Sequence, residues 1–303
     1  MQLLQKLRDS TALSKVLEDV VEAEGIARSL STSIINFLSS TSPVIAYTYT
    51  GLGYVAASLS YWLTVAMSTQ STLIADAEDL SIHVLPYRDD VSTIIFSTGE
   101  YSKLFAALQA MRVLNVNYKA YAPEPVDERT RLLAKHYQVE MFPSTDAFKA
   151  SLVLALATFF AHTKVYRNRL ESRGKRLSAH SEEGFACIAL SLIEKYTSVL
   201  EKAVGANRLV VTSSRILEPS ALLLTRALLE AGLDAAYTPL MEILQSSSTP
   251  ILIAYSSVED RFVKEIRSRG AANIVELVFN TDPLEANLYL TLIAYFLAKL
   301  SRT

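Results

Sequence analysis

The chain has 303 residues, half of them hydrophobic, with 20% charged and a formal net charge of −2. That length suits two domains of about 150 residues, and the apolar content excludes extended disorder. With no positive field overall, neither nucleic acid nor an acidic membrane is expected as a partner.

A single cysteine, Cys187, cannot form an internal disulfide, and no Cys/His cluster has zinc spacing, so a reducing compartment is expected with Cys187 packed on a helix face. The opening MQLLQKLRDS meets charge at once and lacks a continuous apolar signal region. The longest apolar run, Leu152 to Ala161, is about half of what a bilayer crossing needs. A soluble, cytoplasmic protein is therefore expected.

Residues 1 to 40 read as helical, with an amphipathic run through Leu13, Val16, Leu17, Val20 and Val21. After Pro43 comes a strand, Val44-Ile45-Ala46-Tyr47, ending in Thr48-Tyr49-Thr50-Gly51-Leu52-Gly53. A helix follows from Tyr54 to about Met67, and Thr72-Leu73-Ile74-Ala75 reads as another strand. The strand Thr93-Ile94-Ile95-Phe96 then runs into the polar turn Ser97-Thr98-Gly99-Glu100. From Tyr101 a helix is marked by Leu104, Ala107, Leu108, Met111 and Leu114. Gly99 permits a sharp turn, and the hydroxyls of Ser97 and Thr98 fall where the first helical N–H groups lack partners. Such a corner can hold an anion or can simply cap a helix, and the sequence leaves both readings open. Tyr118 to Tyr121 reads as a strand, residues 127 to 137 as a helix, Val139 to Phe142 as extended, and Ser144 to Arg167 as a long helix. Alternating strands and helices predict a parallel sheet covered on both faces.

Residues 166 to 184 change character. They are charged, with Gly174 and Gly184, and read as a solvated junction that divides the chain into residues 1–170 and 171–303. The basic residues Arg167, Arg169, Arg173, Lys175 and Arg176 are interspersed with glutamates and read as solvated charge. Beyond the junction the order recurs: a helix from Ala186 to Val204, the strand Arg208 to Thr212, a turn at Ser213-Ser214, and a helix from Pro219 to Ala231. A strand Ile251 to Tyr255, a helix with Phe262, Val263 and Ile266, a strand Asn273 to Phe279 and a helix Pro283 to Leu300 complete it. Phe96-Ser97-Thr98-Gly99-Glu100 matches Tyr255-Ser256-Ser257-Val258-Glu259 position by position, which predicts two copies of one α/β unit.

These residues resemble the double-domain SIS (sugar isomerase) family, of the kind found in the isomerase half of glucosamine-6-phosphate synthases. The family's G-x-G-[ST]-S, S-x-S-G-E-[ST] and S-T-x-A-F segments are matched by Gly51-Leu52-Gly53-Tyr54-Val55, Phe96-Ser97-Thr98-Gly99-Glu100-Tyr101 and Ser144-Thr145-Asp146-Ala147-Phe148. The resemblance implies two flavodoxin-like α/β domains, each a parallel sheet flanked by helices, with a phosphosugar at the strand ends, no cofactor and no metal. It also implies a homodimer. It places phosphate and sugar contacts at Thr50, Gly51, Ser97, Thr98, Gly99, Glu100, Ser144, Thr145 and Glu242, and a proton-transferring base at Glu230.

The chain departs from the pattern in several places. Tyr54, Val55, Phe96 and Tyr101 replace hydroxyl residues, Leu229 replaces a lysine, and Gln245 stands where the family has a ring-opening histidine. The chain ends at Thr303, where synthase-type members continue into a tail with a catalytic lysine that Lys299 does not match. Glu230 reads equally as a solvated helix-end charge before Gly232. Two functions follow: an aldose-ketose phosphosugar isomerase or aminosugar-phosphate deaminase, or a sugar-phosphate-binding regulatory protein without the chemistry. A purely structural role is a third.

Overall fold

Runs of β-branched and aromatic residues form the strands, and helices with apolar residues three and four apart cover them. The computed structural model describes residues 2–40, 43–167, 172–206, 208–245, 249–268 and 273–302. The chain divides into one unit of Ala23–Glu183 and another of Met1–Glu22 with Gly184–Thr303.

Helices Gln2–Lys6 (α1) and Ser10–Leu38 (α2) come first. The Ala23–Glu183 unit then has strands Val44–Thr50 (β1), Ser71–Asp76 (β2), Val91–Ser97 (β3), Asn117–Pro123 (β4) and Glu140–Phe142 (β5). Its further helices are Tyr54–Met67 (α3), the single turn Ala77–Asp79 (α4), Tyr101–Val113 (α5), Glu128–His136 (α6), Ala147–Val165 (α7) and Ser172–Glu183 (α8). The strands are parallel in the order β2-β1-β3-β4-β5, and every residue of β3 is buried. A central parallel strand is covered on both faces, which accounts for its continuous apolar sequence. The order reverses between β1 and β3, where α/β sheets open a crevice beyond their strand ends.

The core helix is α7. By length and composition it could cross a bilayer, but 89% of its apolar window is buried inside the protein. It is longer than the run Leu152 to Ala161 suggests because its polar residues are satisfied within the fold: Thr163 donates to the Phe159 carbonyl at 2.7 Å, and His162 Nδ1 donates to the Thr158 carbonyl at 2.8 Å. The other ring nitrogen, Nε2, lies 3.0 Å from the Tyr47 hydroxyl.

The stretch from 166 to 184, expected to be a solvated linker, contains α8. Its Leu177, Ser178 and Ser181 are buried. One leucine and two serines make too narrow an apolar stripe to register as periodicity. Arg167 pairs with Glu182 at 2.9 Å, whereas Arg169 lies outside the described residues.

The other unit has Ala186–Val204 (α9), Arg208–Ser213 (β6), Glu218–Glu230 (α10), Asp234–Tyr237 (β7), Ile251–Ser256 (β8), Asp260–Ser268 (α11), Ile274–Phe279 (β9) and Pro283–Arg302 (α12). Its strands are parallel in the order β7-β6-β8-β9, repeating β2-β1-β3-β4 of the first sheet with four strands among the described residues. The matched segments at Phe96 and Tyr255 end corresponding strands. Cys187 is exposed rather than packed, because the buried face of α9 runs through Ala189, Leu192, Ile193, Tyr196 and Leu200.

Burial pushes the His162 pKa down to about 4. The native ring is therefore neutral, while the unfolded chain takes up a proton below about pH 6.5. Stability should be full above pH 6.5 and decline as pH falls toward 4, with this residue contributing about 3 kcal/mol of the loss. Urea unfolding of His162→Gln across this range should show a flatter acid limb than the parent.

Candidate functional site

The register of β1 against β3 sets Thr50 beside Ser97 at the carboxyl edge of the first sheet. Beyond Thr50, Gly51 adopts φ +57° and Gly51–Gly53 form one 3-10 turn that leads into α3. Gly53 is needed for space, since a Cβ there would lie 2.1 Å from the Phe96 carbonyl oxygen. On the other side Gly99, at φ +116°, reverses the chain from β3 into α5. Two strand-to-helix turns thus face each other across the point where the strand order reverses.

Hydroxyls bind these turns together. Thr50 Oγ1 donates to Ser97 Oγ at 2.8 Å, the Gly99 N–H donates to Ser97 Oγ at 3.3 Å, and the Leu52 N–H donates to Thr98 Oγ1 at 3.0 Å. In each of these bonds Ser97 and Thr98 accept, so their own O–H hydrogens are left to donate elsewhere. The Glu100 carboxylate leans over Gly51, where a Cβ would come within 2.9 Å of both Glu100 Oε1 and Thr98 Oγ1. Lys103 Nζ lies 3.3 Å from Glu100 Oε2.

The two tyrosines that replace small hydroxyl residues are anchored to neighbouring groups. The Tyr54 ring packs on Tyr49 at 4.6 Å. Tyr101 donates its hydroxyl to the Pro123 carbonyl, on the β4 side of β3 and so away from β1. Burial, aided by Asp127 and Glu124, pushes Tyr101 up to about 12 and keeps that donor protonated.

Ser144 and Thr145 lie before α7, which begins at Ala147 rather than at Ser144. Their hydroxyls donate to Asp146, at its carbonyl (2.9 Å) and at Oδ2 (3.3 Å). Asp146 Oδ1 in turn accepts from the N–H groups of Phe148 and Lys149, which makes the aspartate the helix cap. The residue of α7 that reaches the glycine turn is Ser151, donating to the Leu52 carbonyl at 3.0 Å. Sequence reading missed it. Its signal was a spacing of two helical turns from Ser144.

Glu230 and Glu242 belong to the other unit and are not brought together within it. Glu230 ends α10 and precedes β7, whereas Glu242 lies in a 3-10 turn, Leu240–Gln245, that follows β7. The Glu230 carboxylate accepts from Arg302 at Oε2 and has Arg226 Nε 3.6 Å from Oε1. It borders a cavity of about 410 Å³ with Leu3, Lys6 and Gly232. Glu242 is exposed. Lys299 pairs with Asp19 at 3.5 Å. Among the described residues no group of three or more His, Cys, Asp or Glu could hold a metal. The large cavity of about 690 Å³ lined by Leu85, Tyr87, Arg88, Val116 and Asn117 lies at the amino ends of β3 and β4, opposite the edge where such sheets bind ligands.

No protein-family model matches the chain, and no curated protein matches it by sequence. Solved structures do share its fold. A protein inferred to be a phosphosugar isomerase from Clostridium difficile 630 aligns over 95% of this chain and 92% of its own, with a TM-score of 0.68 and 12% identity. The C-terminal domain of glucosamine-fructose-6-phosphate aminotransferase from Francisella tularensis aligns over 95% and 96%, with a TM-score of 0.63 and 14% identity. Glucosamine-6-phosphate deaminase from Thermotoga maritima aligns over 94% of each chain, with a TM-score of 0.62 and 16% identity. The two-sheet α/β architecture is thus shared with these proteins, and at these identities the likeness is one of fold.

A Gly53→Ala change should destabilise the protein by roughly 3 kcal/mol, because a carbonyl held in β3 cannot move aside for the added methyl. Denaturant titration would measure this, and Gly25→Ala, with nothing within 4 Å of its added Cβ, serves as the control.

Proposed function

We propose that the protein binds a phosphorylated sugar in the crevice between β1 and β3 and does so without isomerising it. The reading is carried by the pair of buried hydroxyls, Ser97 and Thr98, which among the described residues only accept hydrogen bonds and so retain hydrogens for an anion. The N-termini of α3 and α5 flank this corner, and their dipoles favour negative charge. Thr50 and the two glycines supply the shape, and the Glu100 carboxylate at the rim suits sugar hydroxyls as an acceptor. Ser144 and Thr145 support the site indirectly through Asp146, and Ser151 fixes the glycine turn. The phosphosugar isomerases and deaminase of like fold support the ligand class.

The non-catalytic reading is favoured over the isomerase by the surroundings of Glu230. Arginines face both of its oxygens, which competes with its use as a base toward a carbon-bound hydrogen. Glu242 is then a surface carboxylate with no part in sugar-phosphate binding. The proposal includes a homodimer, as the resemblance to double-domain SIS proteins implies, located in the cytoplasm. Light scattering would measure the mass in solution.

Incubation with fructose 6-phosphate, glucose 6-phosphate and glucosamine 6-phosphate in deuterated water should raise the melting temperature with no deuterium at the sugar C2. Thr98→Val should weaken binding roughly 10- to 150-fold, the worth of one hydrogen bond to a charged group. Deuterium at C2 that disappears in Glu230→Gln would establish the isomerase reading instead. Absence of any stabilisation at millimolar ligand would refute both.

A further inference from the structure

A cavity of about 420 Å³ lies within the Ala23–Glu183 unit, walled by α2, the carboxyl end of α7, and α8. None of its lining residues belongs to the crevice at the ends of β1 and β3. Three cations converge on it. Arg28 of α2 holds its guanidinium 4.4 Å from the centre of the Phe160 ring, and its Nε and Nη2 donate to Glu24 Oε1 at 3.0 and 2.6 Å. Nη2 also reaches the Ser181 carbonyl of α8 at 3.4 Å. Arg28 is therefore a fixed wall of the cavity.

The other two cations are open to exchange. Arg167, just beyond α7, meets Glu182 of α8 at 2.9 Å, but both side chains are largely exposed, and such a pair is held weakly in water. Lys164, in the last turn of α7, makes no ion pair among the described residues. Hydroxyls line the same space. Ser178 is only 7% exposed, and its hydroxyl makes no hydrogen bond among the described residues; nor does that of Thr32 on α2. A buried hydroxyl without a partner carries a desolvation cost. Against Glu24 and Glu182 the three cations leave one positive charge over, and displacing the exposed Glu182 would leave two.

We propose that this cavity binds a small organic polyanion, one carrying two or more phosphate or carboxylate charges. Lys164 and Arg167 take the charges with Glu182 turned out to solvent, while Ser178 and Thr32 donate to the remaining oxygens. The volume is that of a small-molecule site. A ligand so placed joins α8 to α2 and α7, and so holds α8 in place. Lys164 also complements the dipole at the end of α7, a role that would alter stability but not ligand affinity.

The probes are pyrophosphate and citrate, titrated calorimetrically into the full chain at neutral pH and low salt. At least one should bind below millimolar concentration, and the tighter of the two identifies the charged groups as phosphate or carboxylate. Acetate, with a single charge, should bind roughly tenfold more weakly. Lys164→Gln/Arg167→Gln, at two exposed positions, should keep the fold and lose roughly tenfold in affinity, and Ser178→Ala should lose roughly threefold. Hydrogen exchange of the α8 amides should slow when the binding probe saturates the parent, and not in the double variant. Thr98→Val, which disables the crevice of the first sheet, should leave the affinity unchanged. No heat from either probe at millimolar concentration, undiminished affinity in the double variant or in Ser178→Ala, α8 exchange unmoved by the probe, or heat lost in Thr98→Val would overturn the proposal.

Discussion

The contact on which the first crevice depends is the approach of Gly53 to the carbonyl of Phe96. With no side chain at position 53, the first turn of α3 can descend onto the end of β3. That descent brings the Leu52 N–H within reach of Thr98 Oγ1 and the Leu52 carbonyl within reach of Ser151. Three elements distant in sequence are thereby tied at a single loop. The polar groups that tie them are buried, so leaving any unpaired would carry a desolvation cost. The corner is held from several sides and is arranged before any ligand arrives, which limits the ordering a ligand would have to impose.

The two sheets show how one topology accommodates different chemistry. At the end of β1 the chain runs Thr50-Gly51-Leu52-Gly53, and at the end of β6 it runs Ser213-Ser214-Arg215-Ile216. Loss of the glycines coincides with a glutamate held inward: Glu259 bonds to Ser214 and Ser256, whereas the corresponding Glu100 stands at the rim beside Lys103. Because an internal carboxylate satisfies the donors of the second corner, that corner has little to offer an external anion. The first corner keeps its donors. Duplication therefore supplied the scaffold twice, and a few side chains decide what each strand edge can hold.

Most of the architecture was legible because the strands are buried on both faces and read as apolar runs, with helical spacing between them. The matched segments at Phe96 and Tyr255 revealed the duplication because both close the corresponding strand. The start of α7 was misplaced by three residues because Ser144 resembles a cap in sequence, while Asp146 makes the bonds. α8 was hidden because its buried stripe is mostly serine. At the site, the sequence indicated which hydroxyls would gather but not which hydrogens they would have left, since that depends on bonds such as Leu52 to Thr98. The partner of Glu230 was unreadable for a similar reason: Arg302 is 72 residues away along the chain and meets it only through folding.

His162 has one further consequence, concerning the direction of a hydrogen-bonded chain. The Thr158 carbonyl can only accept, so the neutral imidazole carries its proton on Nδ1 and offers Nε2 as an acceptor to Tyr47. The Tyr47 phenol then has one hydrogen for two acceptors, Nε2 at 3.0 Å and Thr64 Oγ1 at 2.7 Å, because Thr64 donates its own to the Ser60 carbonyl at 2.8 Å. The buried core of the first unit thus contains a polar line that donates to backbone at both ends, from Thr64 to α3 and from His162 to α7, with the phenol hydrogen shared between them. A proton arriving on Nε2 would commit the phenol hydrogen to Thr64, so the protonation of one ring fixes the orientation of the Tyr47 hydroxyl on β1.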